Sequence, residues 1–424
     1  MPERKLSFCM VTTFYPPYHF GGDAMYVYRL SNELARRGHR VTVAHCVDAY
    51  KILRRGEPRG HFPHHPNVTV LRLRSPWGPL SPLVTYLAGR PGLKAQALGS
   101  LFRRERFDVV HFHNISLIGG PGVLQHGDGV KLYTMHEHWL VCPMHVLWKY
   151  NRELCVERDC LRCSLTFRRP PQLWRYTDLL GKELRHVQLF LSPSRFTAEE
   201  HRRWGFAHPI RVLPYFLPLA EALPTAPRPG HEPPSRPYFL FVGRLEKIKG
   251  LQTLIEQFRT YDAADLVVAG DGSYGADLRR QAAGLSHVRF LGRVHPTALH
   301  ALYAGAIATL VPSVCYEVFG IVTLESFANR TPVIVRDLGA LPEAVEESGG
   351  GYTYRTEGEL LAAMEALRQD PALRRELGER GYRGYLRRWS EEPHLEQYFA
   401  AIEQASERRA TRRATGRILL PMSP

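Results

Sequence analysis

Short apolar runs alternate with longer amphipathic stretches along the first half of the chain. Residues 6–13, 40–45, 107–112 and 131–135 are apolar runs of strand length, and residues 24–37 carry apolar positions at helical spacing. A Gly21-Gly22-Asp23 turn precedes that helix. Such alternation is typical of a parallel sheet covered by helices, so we expect a doubly wound domain here.

The second half of the chain repeats this alternation. Five apolar runs predict buried strands, at residues 238–242, 266–269, 288–291, 307–311 and 333–335. Four amphipathic stretches predict helices, at residues 251–259, 276–283, 296–303 and 321–328. The fold class expected is therefore α/β, with two Rossmann-like doubly wound domains.

A proline cluster separates the two halves. Eight prolines occur between residues 214 and 237, where they would interrupt either a helix or a sheet ladder. The predicted organisation is a first domain at 1–215 with a Cys-rich insertion at 142–163, a linker at 216–237, a second domain at 238–390, and a C-terminal helix with a basic tail at 391–424 that packs back towards the first domain.

Composition narrows the classes of partner. The 424 residues include 56 Lys and Arg against 41 Asp and Glu, a net charge of +15. Residues 1–220 carry 31 basic and 16 acidic side chains, whereas residues 221–424 carry 25 of each. A basic first half can attract nucleic acid, an anionic membrane surface or an acidic substrate. Nothing in the sequence resembles a nucleic-acid-reading module, so nucleic acid is the remote alternative.

The hydropathy of the sequence and its cysteine count predict a cytoplasmic protein. No apolar run approaches the roughly 18 residues that a membrane span requires. Seven cysteines is an odd number for a secreted disulfide framework, so a reduced compartment is expected.

Ligands of open parallel sheets bind beyond the carboxyl ends of the strands. After strand 238–242, Arg244 and Lys249 can grip a diphosphate, the arginine through its planar fork and the lysine as a point charge. After strand 307–311, Glu317 lies in a loop and Glu325 lies in the following helix, eight residues further on. Gly320 permits close backbone approach between them, and the two carboxylates suit two sets of sugar hydroxyls.

Residues 270–275 match the GxGxxG pattern between a strand and a helix. A nicotinamide dinucleotide site would require an acidic residue at the end of the next strand. No Asp or Glu occurs from residue 285 to residue 302, so we expect no dinucleotide site here.

The glutamate pair and its flanks resemble retaining glycosyltransferases of the GT-B fold, family four. The resemblance extends to the glycine pair near residue 21, to Gly243 with Arg244 and Lys249, and to a second glycine loop at residues 339–343. It implies two Rossmann-like domains facing each other across a cleft, the first for the acceptor and the second for a nucleotide-sugar donor.

The resemblance implies roles for single residues at the positions that match the family's motifs. Arg244 and Lys249 would hold the donor diphosphate, Glu317 the sugar hydroxyls and Glu325 the ribose. Gly21 and Gly22 would bring backbone N–H groups to the phosphate, and His136 would lie beside the sugar. The remaining donor-binding positions implied are Gly243, Phe319, Gly320, Ile321 and Gly339. No Asp-x-Asp metal motif occurs, so metal-free chemistry is expected, with the catalytic set His136, Arg244, Lys249 and Glu317.

Four cysteines, at positions 142, 155, 160 and 163, have the spacing of a structural zinc site. The zinc ligands would be Cys142, Cys155, Cys160 and Cys163. The alternatives are that these cysteines are free buried thiols or that they include a redox pair. No other cofactor is expected beyond the donor.

The function predicted is retaining transfer of a hexose from an NDP-sugar to an acceptor hydroxyl, in polysaccharide, glycolipid or other glycoconjugate biosynthesis. The alternatives are a nucleotide-sugar epimerase or a phosphorylase of the same fold. The basic first half predicts an anionic or lipid-linked glycan acceptor and peripheral association with the inner face of the membrane.

Overall fold

The computed structural model describes residues 4–222 and 234–415, apart from residues 55 and 59. Its residues form two compact units. Among the described residues, the first unit comprises 4–214 together with 395–415, and the second lies within Tyr215–His394. Part of the predicted linker, residues 223–233, and the end of the basic tail, residues 416–424, lie outside the described residues.

The first unit contains a seven-stranded parallel sheet and a separate two-stranded hairpin. The strands are β1 (Ser7–Thr12), β2 (Arg40–Cys46), β3 (Val68–Leu73), β4 (Val109–Phe112), β5 (Val130–Thr134), β6 (Trp148–Lys149), β7 (Glu153–Leu154), β8 (Leu189–Ser192) and β9 (Ile210–Val212). Their order in the sheet is β3-β2-β1-β4-β5-β8-β9, and β6 pairs with β7 in the hairpin. The order reverses between β1 and β4, where ligands of such sheets bind.

Helices cover this sheet. They are α1 (Gly22–Arg36), α2 (Val47–Leu53), α3 (Leu80–Ala88), α4 (Ala95–Arg104), α5 (Cys160–Thr166), α6 (Leu179–Leu184) and α7 (Arg195–Arg203). The core contains Val11, Val110 and Phe112 of the sheet, all fully buried. Helix α1 begins at Gly22, two residues before the predicted start at residue 24, because Gly21 is its N-cap and Asp23 lies in its first turn.

The second unit contains a six-stranded parallel sheet. Its strands are β10 (Tyr238–Val242), β11 (Asp265–Ala269), β12 (Val288–Gly292), β13 (Thr309–Val311), β14 (Val333–Arg336) and β15 (Gly351–Tyr354), in the order β12-β11-β10-β13-β14-β15. Strand β10 is buried on both faces: Tyr238 and Leu240 pack in one apolar cluster, Phe239 and Phe241 in the other. Such strands are continuous apolar runs in sequence.

The helices that follow in the chain are α8 (Leu219–Ala222), α9 (Leu251–Gln257), α10 (Gly275–Gln281), α11 (Pro296–Gly305), α12 (Ile321–Ala328), α13 (Leu341–Ser348), α14 (Glu357–Gln369), α15 (Pro371–Arg388) and α16 (Glu391–Thr415). No helix in the described part of the chain is both long and apolar enough to cross a bilayer. The expectation of two Rossmann-like doubly wound α/β domains is confirmed.

Two stretches in which the sequence predicted no helix or strand contain regular elements. Residues 50–99 contain the end of α2, all of β3 and α3, and the start of α4. Residues 142–171 contain the β6–β7 hairpin and α5. The second was missed because its strands are only two residues long, too short for a period to be visible.

Candidate active site

Two loops of the second unit meet where the strand order reverses between β10 and β13. The loop after β10 carries Arg244 and Lys249 and ends at Gly250, and the loop after β13 carries Glu317. The backbone N–H of Val314 donates to the carbonyl of Ile248 at 2.9 Å, which joins the loops directly. Gly250 has φ +75°, and a Cβ there would lie 1.9 Å from the Pro312 carbonyl oxygen. Only glycine fits this close approach.

Lys249, Ser313 and Glu317 form the centre of this site. The Lys249 ammonium lies 2.6 Å from Glu317 Oε1, and the Ser313 hydroxyl donates to the same oxygen at 2.6 Å. Both side chains of the ion pair are largely buried, with 23% and 15% of their surfaces exposed. The pair therefore occupies a partly desolvated position with one edge open to a ligand.

Burial alone would neutralise these two groups, but each keeps its charge through the other. Burial acts to raise the pKa of Glu317, yet the Lys249 charge and the hydrogen bonds from Lys249 and Ser313 outweigh it and lower the pKa. Burial acts to lower the pKa of Lys249, and Glu317 reverses this and raises the pKa. A lysine and a carboxylate charged at neutral pH thus face the same loop surface.

Arg244 adds a second cation to this edge of the sheet. Its Nη1 pairs with Glu246 Oε1 at 2.8 Å, and half of its side chain is exposed. The Arg244 charge also acts on both members of the ion pair, helping to lower the pKa of Glu317. Because its guanidinium is exposed, it can reorient towards an anionic ligand.

Helix α12 begins at this site. Its N-cap is Gly320, with φ +85°, and Ile321 is its first residue. Phe319 is buried before the cap, with its ring centroid 5.3 Å from that of Tyr215. Glu325 lies one turn inside the helix, where its Oε2 accepts a hydrogen bond from the Tyr303 hydroxyl at 2.8 Å. A helix start next to two cations is suited to a phosphate.

Gly339 and Gly243 allow the surrounding loops to pack closely. Gly339 has φ +66°, and a Cβ there would lie 2.9 Å from the Glu317 backbone nitrogen. The adjacent N–H of Ala340 donates to the Glu317 carbonyl at 3.1 Å, so this glycine loop positions Glu317. Gly243 follows β10 and donates to the carbonyl of Ala269 at 3.1 Å.

The GxGxxG stretch at residues 270–275 is a packing element for the loop that bears Arg244. A Cβ at Gly270 would lie 1.8 Å from the Gly243 carbonyl oxygen, and one at Gly272 would lie 2.4 Å from that of Leu245. The glycines are therefore required by contact with the neighbouring backbone. Their spacing alone gave no indication of this role.

In the first unit, Gly21 and Gly22 mark the start of α1, beyond the end of β1. Gly21 is extended, and the nearest atom to a Cβ built on it is Asp23 Oδ1 at 4.0 Å. The α1 terminus thus has open space before it. The first N–H groups of a helix have no partner within the helix, so this terminus can receive an anion.

His136 and His113 follow β5 and β4 and lie together at the same sheet edge. His113 Nδ1 and His136 Nε2 are 2.9 Å apart, and both rings are buried. Burial lowers the pKa of His136 to about 4, against an opposing influence of Asp23. Burial, followed by the charges of His111 and His136, lowers the pKa of His113 further. Both imidazoles are therefore neutral at pH 7 and suited to hydrogen bonding with hydroxyl groups.

Two cysteines of the insertion, Cys155 and Cys163, contact residues 147–150. The Cys155 N–H donates to the Leu147 carbonyl at 2.8 Å, and the Tyr150 N–H donates to Cys163 Sγ at 3.5 Å. Burial, followed by the charges of Cys142, Cys160 and Cys163, raises the pKa of Cys155 to about 12. Over the ranges that the structure describes, no three His, Cys, Asp or Glu side chains are positioned to hold a metal ion.

Comparison with known proteins identifies the class of this chain. The family model "Glycosyltransferase Family 4" matches residues 20–221, and "Glycosyl transferases group 1" matches residues 224–384. The glycogen synthase of Mycobacterium tuberculosis is 29% identical over 400 residues, which cover 86% of each protein.

Solved structures share the fold. Sucrose-phosphate synthase from Thermosynechococcus elongatus matches with a TM-score of 0.70 and 21% identity, over 97% of this chain and 100% of that one. Anabaena HepE in complex with UDP and glucose matches with a TM-score of 0.64 and 16% identity, over 96% and 99%.

Two family matches in succession, on two doubly wound units, define a glycosyltransferase with the GT-B fold. The predicted resemblance to family four is confirmed.

The structure brings Arg244, Lys249, Glu317 and Gly339 together in the second unit and His136 close to His113 in the first. Two polar contacts were missed from the sequence. Tyr303 holds Glu325 from helix α11, 22 residues earlier, and no motif marks it. The Ser313 hydroxyl holds Glu317, and its position four residues before the glutamate is the signal that could have indicated this contact.

Proposed function

We propose that this glycosyltransferase moves a hexose from an NDP-sugar to an acceptor hydroxyl with retention of anomeric configuration. The observation that carries the proposal is the Lys249–Glu317 pair at the strand-order reversal, with Arg244 beside it. HepE, a structural neighbour, has been solved in complex with UDP-glucose, which supports a nucleotide-sugar donor.

Arg244 and Lys249 serve as the diphosphate clamp. As the bond between the sugar and the diphosphate breaks, negative charge grows on the departing phosphate oxygen, and fixed cations stabilise that charge most. The N–H groups at the start of α12 add dipoles of the same sign. Chemistry based on these groups requires no metal, and metal-independent transfer is part of the proposal.

Glu317 and Glu325 select the donor. The Glu317 carboxylate, ionised through Lys249 and fixed by Ser313, accepts hydrogen bonds from sugar hydroxyls. Glu325, held by the Tyr303 hydroxyl, accepts from the ribose. In the first unit, His136 presents a neutral imidazole to the sugar, while Gly21 and Gly22 offer backbone N–H groups to a phosphate.

The acceptor we propose is an anionic or lipid-linked glycan, used in glycoconjugate biosynthesis at the cytoplasmic face of a membrane. All of the excess positive charge lies in residues 1–220, where 31 basic residues oppose 16 acidic ones. A phosphatidyl-myo-inositol mannosyltransferase of Mycobacterium leprae is 32% identical over 153 residues, 35% of this chain and 40% of that protein. The name of that enzyme includes a lipid, which supports this class of acceptor.

Site variants test the donor assignment. Glu317→Ala and Arg244→Ala should each lower transfer from the donor at least about a hundredfold, because each removes a charge that acts on the transition state. Arg259→Ala is the matched control, since it removes an exposed ion pair with Glu256 on the same unit. Near-normal rates for both site variants, with folded protein, would refute the assignment.

Product analysis separates transfer from its rivals. With a donor labelled in the sugar, transfer places the label on the acceptor, an epimerase returns it as an isomeric nucleotide sugar, and a phosphorylase returns it as a sugar phosphate. Nuclear magnetic resonance of the anomeric proton of the new bond then reports retention or inversion.

We propose that the cysteine cluster binds a structural zinc ion. The Cys142, Cys160 and Cys163 thiols all act on the pKa of Cys155, and thiolates are preferred zinc ligands, although no three side chains in the described ranges already form a coordination shell. Elemental analysis should find about one zinc per chain, and Cys160→Ser/Cys163→Ser should lower it to about a tenth. Cys9→Ala, which removes a thiol of the sheet core, is the control; zinc-free wild-type protein would exclude the assignment.

A further inference from the structure

Helix α3 in the first unit buries Pro82 and Tyr86 but has its leucines and its valine on the solvent side. Leu80, Leu83, Val84 and Leu87, which follow helical spacing, are 52%, 40%, 40% and 45% exposed. Ser81 and Thr85 on the opposite side are fully buried. A surface helix of a globular protein ordinarily has the reverse arrangement.

A buried lysine fixes the helix in this orientation. The Lys94 ammonium donates to Ser81 Oγ at 2.8 Å and to Thr85 Oγ1 at 3.2 Å. These hydroxyls satisfy a cation that is 1% exposed, so the helix cannot rotate to bury its leucines without leaving that cation unpaired. The exposed leucines are therefore a stable feature of the folded unit.

Aromatic side chains extend the apolar surface. Trp77, just before α3, is 63% exposed. Tyr176 lies at the end of a 3-10 turn (Leu173–Tyr176) that contacts α3, and it is 66% exposed, as is Leu173. The Trp174 indole in the same turn donates to the Tyr86 carbonyl at 2.9 Å and holds this segment against the helix. Trp and Tyr are the residues enriched where proteins meet the boundary of a bilayer.

Most of the charges around this surface are positive. From residue 58 to residue 104 the sequence contains seven Lys and Arg and no Asp or Glu. Arg90, immediately after the C-cap of α3, is exposed, and the Arg169 charge acts on the Tyr86 hydroxyl of the helix. The charge of Asp159 also acts on Tyr176, but the cations outnumber it. An apolar patch with mostly positive neighbours complements an anionic bilayer and opposes a positively charged partner.

We propose that the surface formed by Trp77, the outer face of α3, Leu173 and Tyr176 docks on an anionic lipid bilayer. Its apolar side chains enter the boundary between headgroups and acyl chains, while Arg90 and Arg169 contact the headgroups. The proposed function includes membrane association, and the docking surface gives that association a place on the fold. The docking proposal rests on the proposed function in this respect and in no other. Docking here would hold the first unit at the surface where a lipid-linked acceptor resides.

Vesicle flotation of the full chain tests the proposal without donor or acceptor. Wild-type protein should float with vesicles of 30% phosphatidylglycerol in phosphatidylcholine, and about tenfold less with phosphatidylcholine alone or at high salt. Leu83→Gln/Leu87→Gln should lower the bound fraction about tenfold. Leu386→Gln, at a 37% exposed leucine of the second unit, is the matched control and should bind as wild type does.

Fluorescence and light scattering complete the test. Lipids brominated in the acyl chain should quench tryptophan emission, and Trp77→Phe should remove that quenching, because Trp77 is the tryptophan of this patch. Equal flotation of wild type and the double variant, or none by wild type, would overturn the proposal. A wild-type dimer that the double variant loses, without flotation, would overturn it in favour of self-association. Thermal stabilisation by nucleotide, measured separately, shows whether the donor site itself is intact.

Discussion

At the scale of single residues, the proposed donor site depends on a contact that the sequence does not reveal. Lys249 and Glu317 are 68 positions apart and were predicted as ligands of different parts of the donor. Their 2.6 Å contact arises because β10 and β13 are neighbours in the sheet although they are not consecutive in the chain. The residue types were recognisable from motif spacing, whereas their pairing required the topology.

A double-mutant cycle should measure this pairing. Lys249→Met leaves the Glu317 carboxylate without its cation in a largely buried position, and should lower the free energy of unfolding by about 2 kcal/mol. Lys249→Met/Glu317→Gln removes both charges and should lose less than the sum of the single variants. Urea unfolding followed by circular dichroism measures all four proteins. Strict additivity would show that the two charges do not interact.

The same pair predicts a pH dependence. The folded state lowers the pKa of Glu317, so its contribution to stability is complete above the ordinary value of 4.5 and is lost as the pH falls through the lower folded value. Wild type should therefore lose more stability than Glu317→Gln when the pH falls from about 5 to about 3. Parallel curves of unfolding free energy for the two proteins would contradict this.

At the scale of elements, the sequence predicted best where strands are buried on both sides. Strand β10 and helix α12 were predicted with their exact bounds, because continuous apolar runs and a glycine boundary mark them. Helix α3 was missed because its apolar stripe faces solvent and its inner face bears hydroxyls, which the pattern of hydrophobic positions cannot distinguish from irregular chain. Elements whose apolar face is turned towards solvent are thus the hardest to predict.

The contact between the β10 and β13 loops predicts a position-specific glycine requirement. Gly250→Ala places a Cβ against the Pro312 carbonyl at a residue with φ +75°, and should destabilise the protein by about 3 kcal/mol. Gly284→Ala is the matched control: its φ is +86°, but no atom lies within 4 Å of the added Cβ, so it should cost only about 1 kcal/mol. Equal losses would show that the loop contact adds nothing beyond backbone strain.

At the scale of the whole molecule, the two units differ in how protons affect them. Ten described histidines have pKa values lowered by burial, among them His45, His113, His136 and His208, and all ten lie in the first unit. In the unfolded chain these histidines bind protons below about pH 6.5, whereas in the folded unit burial keeps them neutral to a lower pH. The contribution of these neutral histidines to the free energy of unfolding is therefore complete above about pH 6.5, and it is lost as the pH falls towards the lowered pKa values.

Nucleotide should act on the other unit. The proposed clamp of Arg244 and Lys249 lies wholly in the second unit, so a nucleoside diphosphate chosen from UDP, GDP and TDP should stabilise that unit, by about 2.7 kcal/mol at a hundred times its dissociation constant. Hydrogen exchange read by mass spectrometry, corrected for intrinsic rates, resolves both effects by peptide. Acidification from pH 7 to about 5 should raise exchange first around β4 and β5, and nucleotide should lower it first at residues 243–250 and 312–320. If nucleotide lowered exchange only in the first unit, the diphosphate would bind there and not at the β10–β13 edge. The roles proposed for Arg244 and Lys249 would then be wrong.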